Sequence, residues 1–296
     1  MELFLEQVIN GLNAGSIYAL IAIGYTMVYG IIRLINFAHG EIMMFGAYFA
    51  FLFATSFGEV YQIPLLVVIL IAMVLAAIMG VLIEKVAYSK LRNAPRISAL
   101  ITAIGMSLLL QNLALKIFGS TPKVMPNPIP VNPIEIGLVS IPLLTVFTIL
   151  MTVFFMILLT VFVNKTKQGR AMRAVSQDKE AAMLMGINVN NTISLTFAIG
   201  SALGALGGVF FSLAYTQVAP TMGVMPGLKA FIAAVFGGIG NIQGAMLGGY
   251  IIGMVESLTK GYWSSKYVDA IVFGLLIIIL LFKPSGILGK NVKEKV

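Results

Sequence analysis

His39 and Glu41 stand two positions apart in the run Asn36-Phe37-Ala38-His39-Gly40-Glu41, where one apolar stretch has ended and the next begins. An ionisable side chain at membrane depth is costly to desolvate and is usually kept for a solute or proton path, so the pair is a candidate for contact with a transported molecule. A local reading competes with it: Glu41 falls where the first turn of a helix favours an acid, and Arg33 marks an interface just before it. A weak echo follows much later, where Asn241-Ile242-Gln243-Gly244 and then Gly248-Gly249-Tyr250 repeat the order seen in Asn36 to Glu41 and then Gly46-Ala47-Tyr48. Internal repeats are common in transporters, and short glycine-rich matches also arise by chance. The candidate path residues are therefore Asn36, His39, Gly40, Glu41, Asn241, Gln243 and Gly244.

A second group lies in the stretch from Asn164 to Asn190, which gathers five basic and two acidic residues inside an otherwise apolar chain. Ser176 is a good helix N-cap, Asp178 and Glu180 fall in a first turn where the helix dipole favours acids, and Gly186 supplies a stop. The spacing predicts a short helix over about 176–186. It brings Ala181, Leu184 and Met185 together, beside Ala182, as an apolar knob flanked by charge. Such an element suits a groove on a partner protein. The alternative is a helix lying on anionic lipid, which would call for large aromatics that the segment lacks.

Other chemistries are absent from the sequence. No G-x-x-x-x-G-K-[ST] run occurs, so there is no backbone cradle for nucleotide phosphates. One histidine, no cysteine and eleven acids leave no material for a thiolate, a zinc site or a catalytic triad. The expectation is a chain that is not an enzyme, has no catalytic residue and no metal site, and binds no cofactor of its own.

The elements that must position these groups follow from composition. At 59% hydrophobic and 10% charged, with a mean hydropathy of +1.00, the chain is far from the roughly 25% charged residues of soluble domains. Apolar stretches near the ~20 residues needed to cross a bilayer fall at about 10–32, 42–57, 63–83, 97–118, 141–163, 192–214, 229–258 and 267–282. This predicts an all-α polytopic bundle of about 8–9 spans forming a single domain over 1–296. The first span carries no basic n-region and no cleavage pattern, and is expected to stay. Basic residues cluster in 84–96, in the loop 164–190 and in the tail, which places those segments in the cytoplasm; the formal charge of +8 is a topology signal and does not point to nucleic acid. The proline-rich segment 119–140 and the acidic N-terminus then face outside. A cytoplasmic tail requires an odd number of crossings, and the glycine density between Gly237 and Gly244 predicts a helix broken there. Glu256 and Asp269 are expected to flank an exposed turn. Gln111 and Asn112 are expected to contact either neighbouring helices or solute.

These residues carry a family likeness. The pieces are Ala19 to Gly30 (ALIAIGYTMVYG), Ile35 to Glu41 (INFAHGE), Gly169 to Val175 (GRAMRAV), Met185-Gly186-Ile187, Ala233 to Gly240 with Gly244-Ala245-Met246, and Pro284 to Gly289. The chain resembles, almost end to end, the permease subunits of bacterial ABC importers for branched-chain amino acids, in particular the smaller of their two permeases. The resemblance implies a second permease subunit, two cytoplasmic ATPase subunits that use ATP and magnesium, and an extracytoplasmic substrate-binding protein, all at the bacterial inner membrane. It also makes Ser176, Asp178, Glu180, Ala181, Ala182, Leu184, Met185 and Gly186 the counterpart of the helix that seats in the ATPase. Related permeases serve urea, amides and sugars, so a urea or amide permease is the next reading. An ion-coupled secondary transporter is a third, but it would need a relay of buried acids for which Glu41 is the candidate.

Overall fold

Proline sets the start of three long helices. Pro64, Pro95 and Pro142 occupy the N-cap positions of helices that begin at Leu65, Arg96 and Leu143, with φ of −58°, −54° and −59°. The ring fixes the entry angle and removes an N–H that a helix end would otherwise leave unpaired. The computed structural model describes residues 2–32, 36–61, 64–91, 94–126, 133–136 and 139–289. Arg33 and Ile35 lie outside them.

In chain order the elements are α1 (Glu2–Ile32), α2 (His39–Tyr61), α3 (Leu65–Ile83) continued by a π turn at Glu84–Tyr88 and a 3-10 turn at Ser89–Leu91, and α4 (Arg96–Phe118). Then come β1 (Lys123–Val124), β2 (Ile134–Ile136), β3 (Val139–Ile141), α5 (Leu143–Lys165), α6 (Lys167–Gln177), α7 (Lys179–Leu184) and α8 (Val189–Ala214). The chain closes with β4 (Gln217–Val218), α9 (Val224–Gly237), α10 (Ile242–Tyr262) and α11 (Val268–Phe282). The short strands pair β1 with β4 and β2 with β3, both antiparallel, so the proline-rich loop between α4 and α5 is pinned to the segment after α8.

α1 is the axis of the bundle, apolar all round and buried along most of its length. Small residues let α10 run against it: a methyl added at Gly15 would come 2.8 Å from the Tyr250 Cα, and one at Gly249 would come 2.5 Å from the Ala19 Cα. The order of these contacts makes α1 and α10 antiparallel, and Gly24 meeting Gly200 while Gly207 meets Ile17 makes α8 antiparallel to α1 as well. Close backbone approach of this kind is how helices pack where lipid is as apolar as leucine. α4 and α11 lie outside this core and expose Ile101, Leu109, Ile117, Ile277 and Leu281, as helices bathed in hydrocarbon do.

Six helices among the described residues are long and apolar enough by themselves to cross a membrane. That is fewer than the 8–9 expected from the sequence. Beside these six, α9 is a 14-residue apolar helix, and α2, α9 and α10 each carry a buried charged residue, Glu41, Lys229 and Glu256. The expected break is present, since α9 ends at Gly237 and α10 begins at Ile242. Gly238 and Gly240, at φ 107° and 94°, turn the chain through a backbone region that side chains disfavour.

Candidate functional site

The polar loop folds as two helices. Thr166 caps α6, accepting from the Gly169 N–H at 3.0 Å, and α6 turns Gly169, Met172 and Val175 inward. Gly169 lies hard against the backbone of Phe162 and Val163, which fixes α6 to the end of α5. Asp178 then caps α7, its Oδ1 accepting from the N–H groups of Glu180 at 2.9 Å and Ala181 at 3.0 Å. Ser176, the cap expected from sequence, lies instead inside α6 and donates to the Arg173 carbonyl at 2.7 Å. A carboxylate placed two residues later accepts two N–H groups at once, and that outcompetes the hydroxyl. Gly186, at φ 78°, closes the helix as the Ile187 N–H returns to the Ala182 carbonyl at 3.0 Å.

The knob is real but differently composed. Ala182 is turned inward and buried, whereas Leu184 is 89% exposed and Met185 83%. Met183, at 58%, joins them, and Ala181 is exposed. Ala182 anchors the helix, and Met183, Leu184 and Met185 are what a neighbour could grip. The six-residue helix and its C-cap Met185 thus present three large apolar side chains in the open.

The residues proposed for a path fall into two separate places. Gly40 and Glu41 line a cavity of about 170 Å³ with Tyr25, Phe37, Ser107 and Gly223. Glu41 is buried, with Ser107 donating to its Oε1 at 3.3 Å and no partner for Oε2. His39 sits behind, also buried, its ring 4.4 Å from that of Tyr25 and its Nε2 unpartnered. Asn36 has a structural task, since its Oδ1 accepts from the Tyr88 hydroxyl at 2.8 Å and from the Ala38 N–H at 3.1 Å.

Asn241, Gln243 and Gly244 do not line this cavity. Asn241 caps α10 by accepting from the Gly244 N–H at 3.1 Å and holds the tail by donating to the Leu288 carbonyl at 2.9 Å. Gly244 packs on Gly237, and Gln243 is exposed. Both turns pack on α1, His39 against Gly24 and Gly240 against Gly30. Asn112 donates to the Leu108 carbonyl of its own helix at 2.8 Å.

One cluster escaped the sequence reading. Glu256 is buried, and both of its oxygens are paired: Oε2 with the Tyr18 hydroxyl at 2.8 Å and Lys229 Nζ at 3.0 Å, Oε1 with Lys260 Nζ at 2.5 Å. Lys229 also reaches Asp269 Oδ1 at 3.0 Å. The expectation of an exposed turn holds for Asp269, which is half exposed, and fails for Glu256. A partner 27 residues away on the far side of a helix break gives no local signal; the i, i+4 pair of Glu256 and Lys260 was the one hint available.

A family model described as branched-chain amino acid transport system / permease component matches residues 7–281. The high-affinity branched-chain amino acid transport system permease protein BraD of Pseudomonas aeruginosa is 44% identical over 301 aligned residues, covering 99% of this chain and 98% of that one. The corresponding LivH permease of Escherichia coli K12 is also 44% identical, with the same coverage. Among solved structures, PsaBC from Streptococcus pneumoniae, in complex with a Fab, aligns with a TM-score of 0.50 and 14% identity over 95% of this chain and 92% of that one, a likeness of fold.

Proposed function

The chain belongs to the branched-chain amino acid transport system permease-component family, and from that premise we propose that it is the membrane-spanning permease subunit of an ATP-binding-cassette importer for branched-chain and other hydrophobic amino acids. It is a transport subunit. ATP and magnesium are used by two cytoplasmic ATPase subunits, a second permease completes the pore, and an extracytoplasmic binding protein delivers the solute. In this reading the basic end of the bundle, with Lys85, Lys90, Lys165, Arg170 and Arg173, faces the cytoplasm, and the N-terminus of α1 faces outside.

The observation that carries the reading is α7. Its exposed Met183-Leu184-Met185 face stands on the basic side of a chain that has no phosphate cradle of its own. α6 packs on the end of α5 and reaches α1 and α8, so a push on α7 is delivered to the core of the bundle. An ATPase that closes on nucleotide shifts the permease only if it grips this helix differently in its two states.

The test is uptake of labelled leucine by proteoliposomes holding the complete importer. Leu184→Glu sets a charge in the gripping face without touching the buried Ala182. It is expected to cut ATP-dependent uptake at least tenfold while leaving the melting temperature of the permease unchanged. Uptake that survives Leu184→Glu, or that proceeds without ATPase subunits, would sink the reading.

A further inference from the structure

The cavity beside Glu41 has an unusual chemical balance. Glu41 Oε2 is buried and has no hydrogen-bond partner, yet Glu41 and Ser107 line open space of about 170 Å³. The remaining walls include Phe37, Ile104, Leu108 and Leu228. The start of α9 lies against the carboxylate: a methyl placed on Gly223 would come 3.0 Å from Glu41 Oε2, and Gly223, the N-cap, offers α9 no side-chain cap. The positive end of a helix of this length favours a carboxylate beside it but gives Oε2 no hydrogen bond here.

We propose that this cavity binds the primary ammonium of an aliphatic amine-bearing solute, with the Glu41 carboxylate turning to it as the counter-charge and the apolar walls around the aliphatic side chain. A buried carboxylate oxygen without a partner carries a desolvation cost that an ammonium donor would offset. The walls decide what kind of cation. A hard metal ion needs a shell of oxygens, and no cluster of metal-ligating side chains exists among the described residues. A small organic cation needs one anion and apolar surroundings, which is what is present. The volume is several times the ~30 Å³ share of a liquid water, enough for a short aliphatic chain. The proposal rests on the functional reading above and narrows it: the permease itself, and not the binding protein alone, reads the amino group.

The chain has no cysteine, so Ser107→Cys places its one thiol on the cavity wall. With the permeases and ATPases assembled in nanodiscs, modification of that thiol by a small methanethiosulfonate is followed by the mass of this chain. Leucine and 3-methylbutylamine are expected to slow the reaction several-fold, and 4-methylpentanoate, which keeps the aliphatic chain and the carboxylate but lacks the amine, is expected not to. Protection by the acid but not the amine, or by neither, overturns the site. In proteoliposomes with the complete importer, Glu41→Gln is expected to lower leucine uptake about tenfold while ATP hydrolysis still responds to the loaded binding protein, and Glu41→Asp to recover part of it. Wild-type uptake left unchanged by Glu41→Gln overturns the amine site and leaves the importer standing. Absence of ATP-dependent leucine uptake by the wild type overturns the importer reading, and then the thiol protection decides the site by itself.

Discussion

Glu41 and Glu256 are two buried carboxylates in the same bundle, and they differ in how they are partnered. Glu256 has both oxygens paired, to Tyr18 of α1, Lys229 of α9 and Lys260 of its own helix. Glu41 has one oxygen on Ser107 and the other buried without a partner, in a residue that lines a cavity. Removing one member of a buried, satisfied network leaves other charges stranded, whereas replacing a polar group that lacks a partner strands nothing. The pair therefore separates what holds the bundle together from what is kept ready for something not yet bound. Glu256 belongs to the first kind and Glu41 to the second.

The largest break in that comparison should come from Glu256→Ala. It leaves the Tyr18 hydroxyl without its acceptor and Lys229 with Asp269 alone, and should cost about 3–5 kcal/mol. The thermal midpoint in nanodiscs is expected to fall steeply, and a midpoint within a degree of wild type would put Glu256 in the same class as Glu41. Lys229→Met should cost less, about 2 kcal/mol, because Glu256 keeps Lys260 and Tyr18 while α9 loses its tie to α10 and α11.

Sequence reasoning reached one of these carboxylates and not the other, for a reason that lies in chain distance. Glu41 follows His39 and Gly40 in a short polar break between two apolar runs, so its abnormality was local and visible. Glu256 looked like the acid of an exposed turn, because its partners come from α1 and from the other arm of a broken helix. The break at Gly237–Gly244 was itself legible, since glycine at that density cannot sustain one helix. The likeness between Asn36 and Asn241 was legible too, and each does sit where a helix begins, yet Asn241, Gln243 and Gly244 do not line the cavity that Gly40 and Glu41 line. α6 was missed because Gly169, Met172 and Val175 are thinly spread among basic residues, and the helix docks one narrow face on the end of α5. The same crowding hid the choice of cap, since Ser176 and Asp178 both qualify until α6 takes Ser176 for itself.

Glu41→Gln turns the comparison the other way. The amide oxygen still accepts from Ser107, and the amide nitrogen takes the place of an oxygen that has no partner, so stability is expected to stay level within about 1 kcal/mol even as leucine uptake falls. A variant that loses both midpoint and uptake would show that Glu41 is as structural as Glu256, and its cavity a packing defect.

Asp269→Asn should have the smallest effect and tests whether the Glu256 network extends to the surface. Asp269 meets Lys229 at 3.0 Å but is half exposed, so water and salt compete for its charge. Lys229 keeps Glu256 when Asp269 is neutralised, and nothing buried is stranded. The expected loss is about 1 kcal/mol or less, shrinking as salt is raised, read as the thermal midpoint at low and high ionic strength. A loss as large as that of Glu256→Ala, insensitive to salt, would mean that Asp269 is closed off from water in the assembled membrane complex. The boundary between the holding carboxylates and the waiting one would then have to be drawn by assembly, since burial within this chain does not separate them.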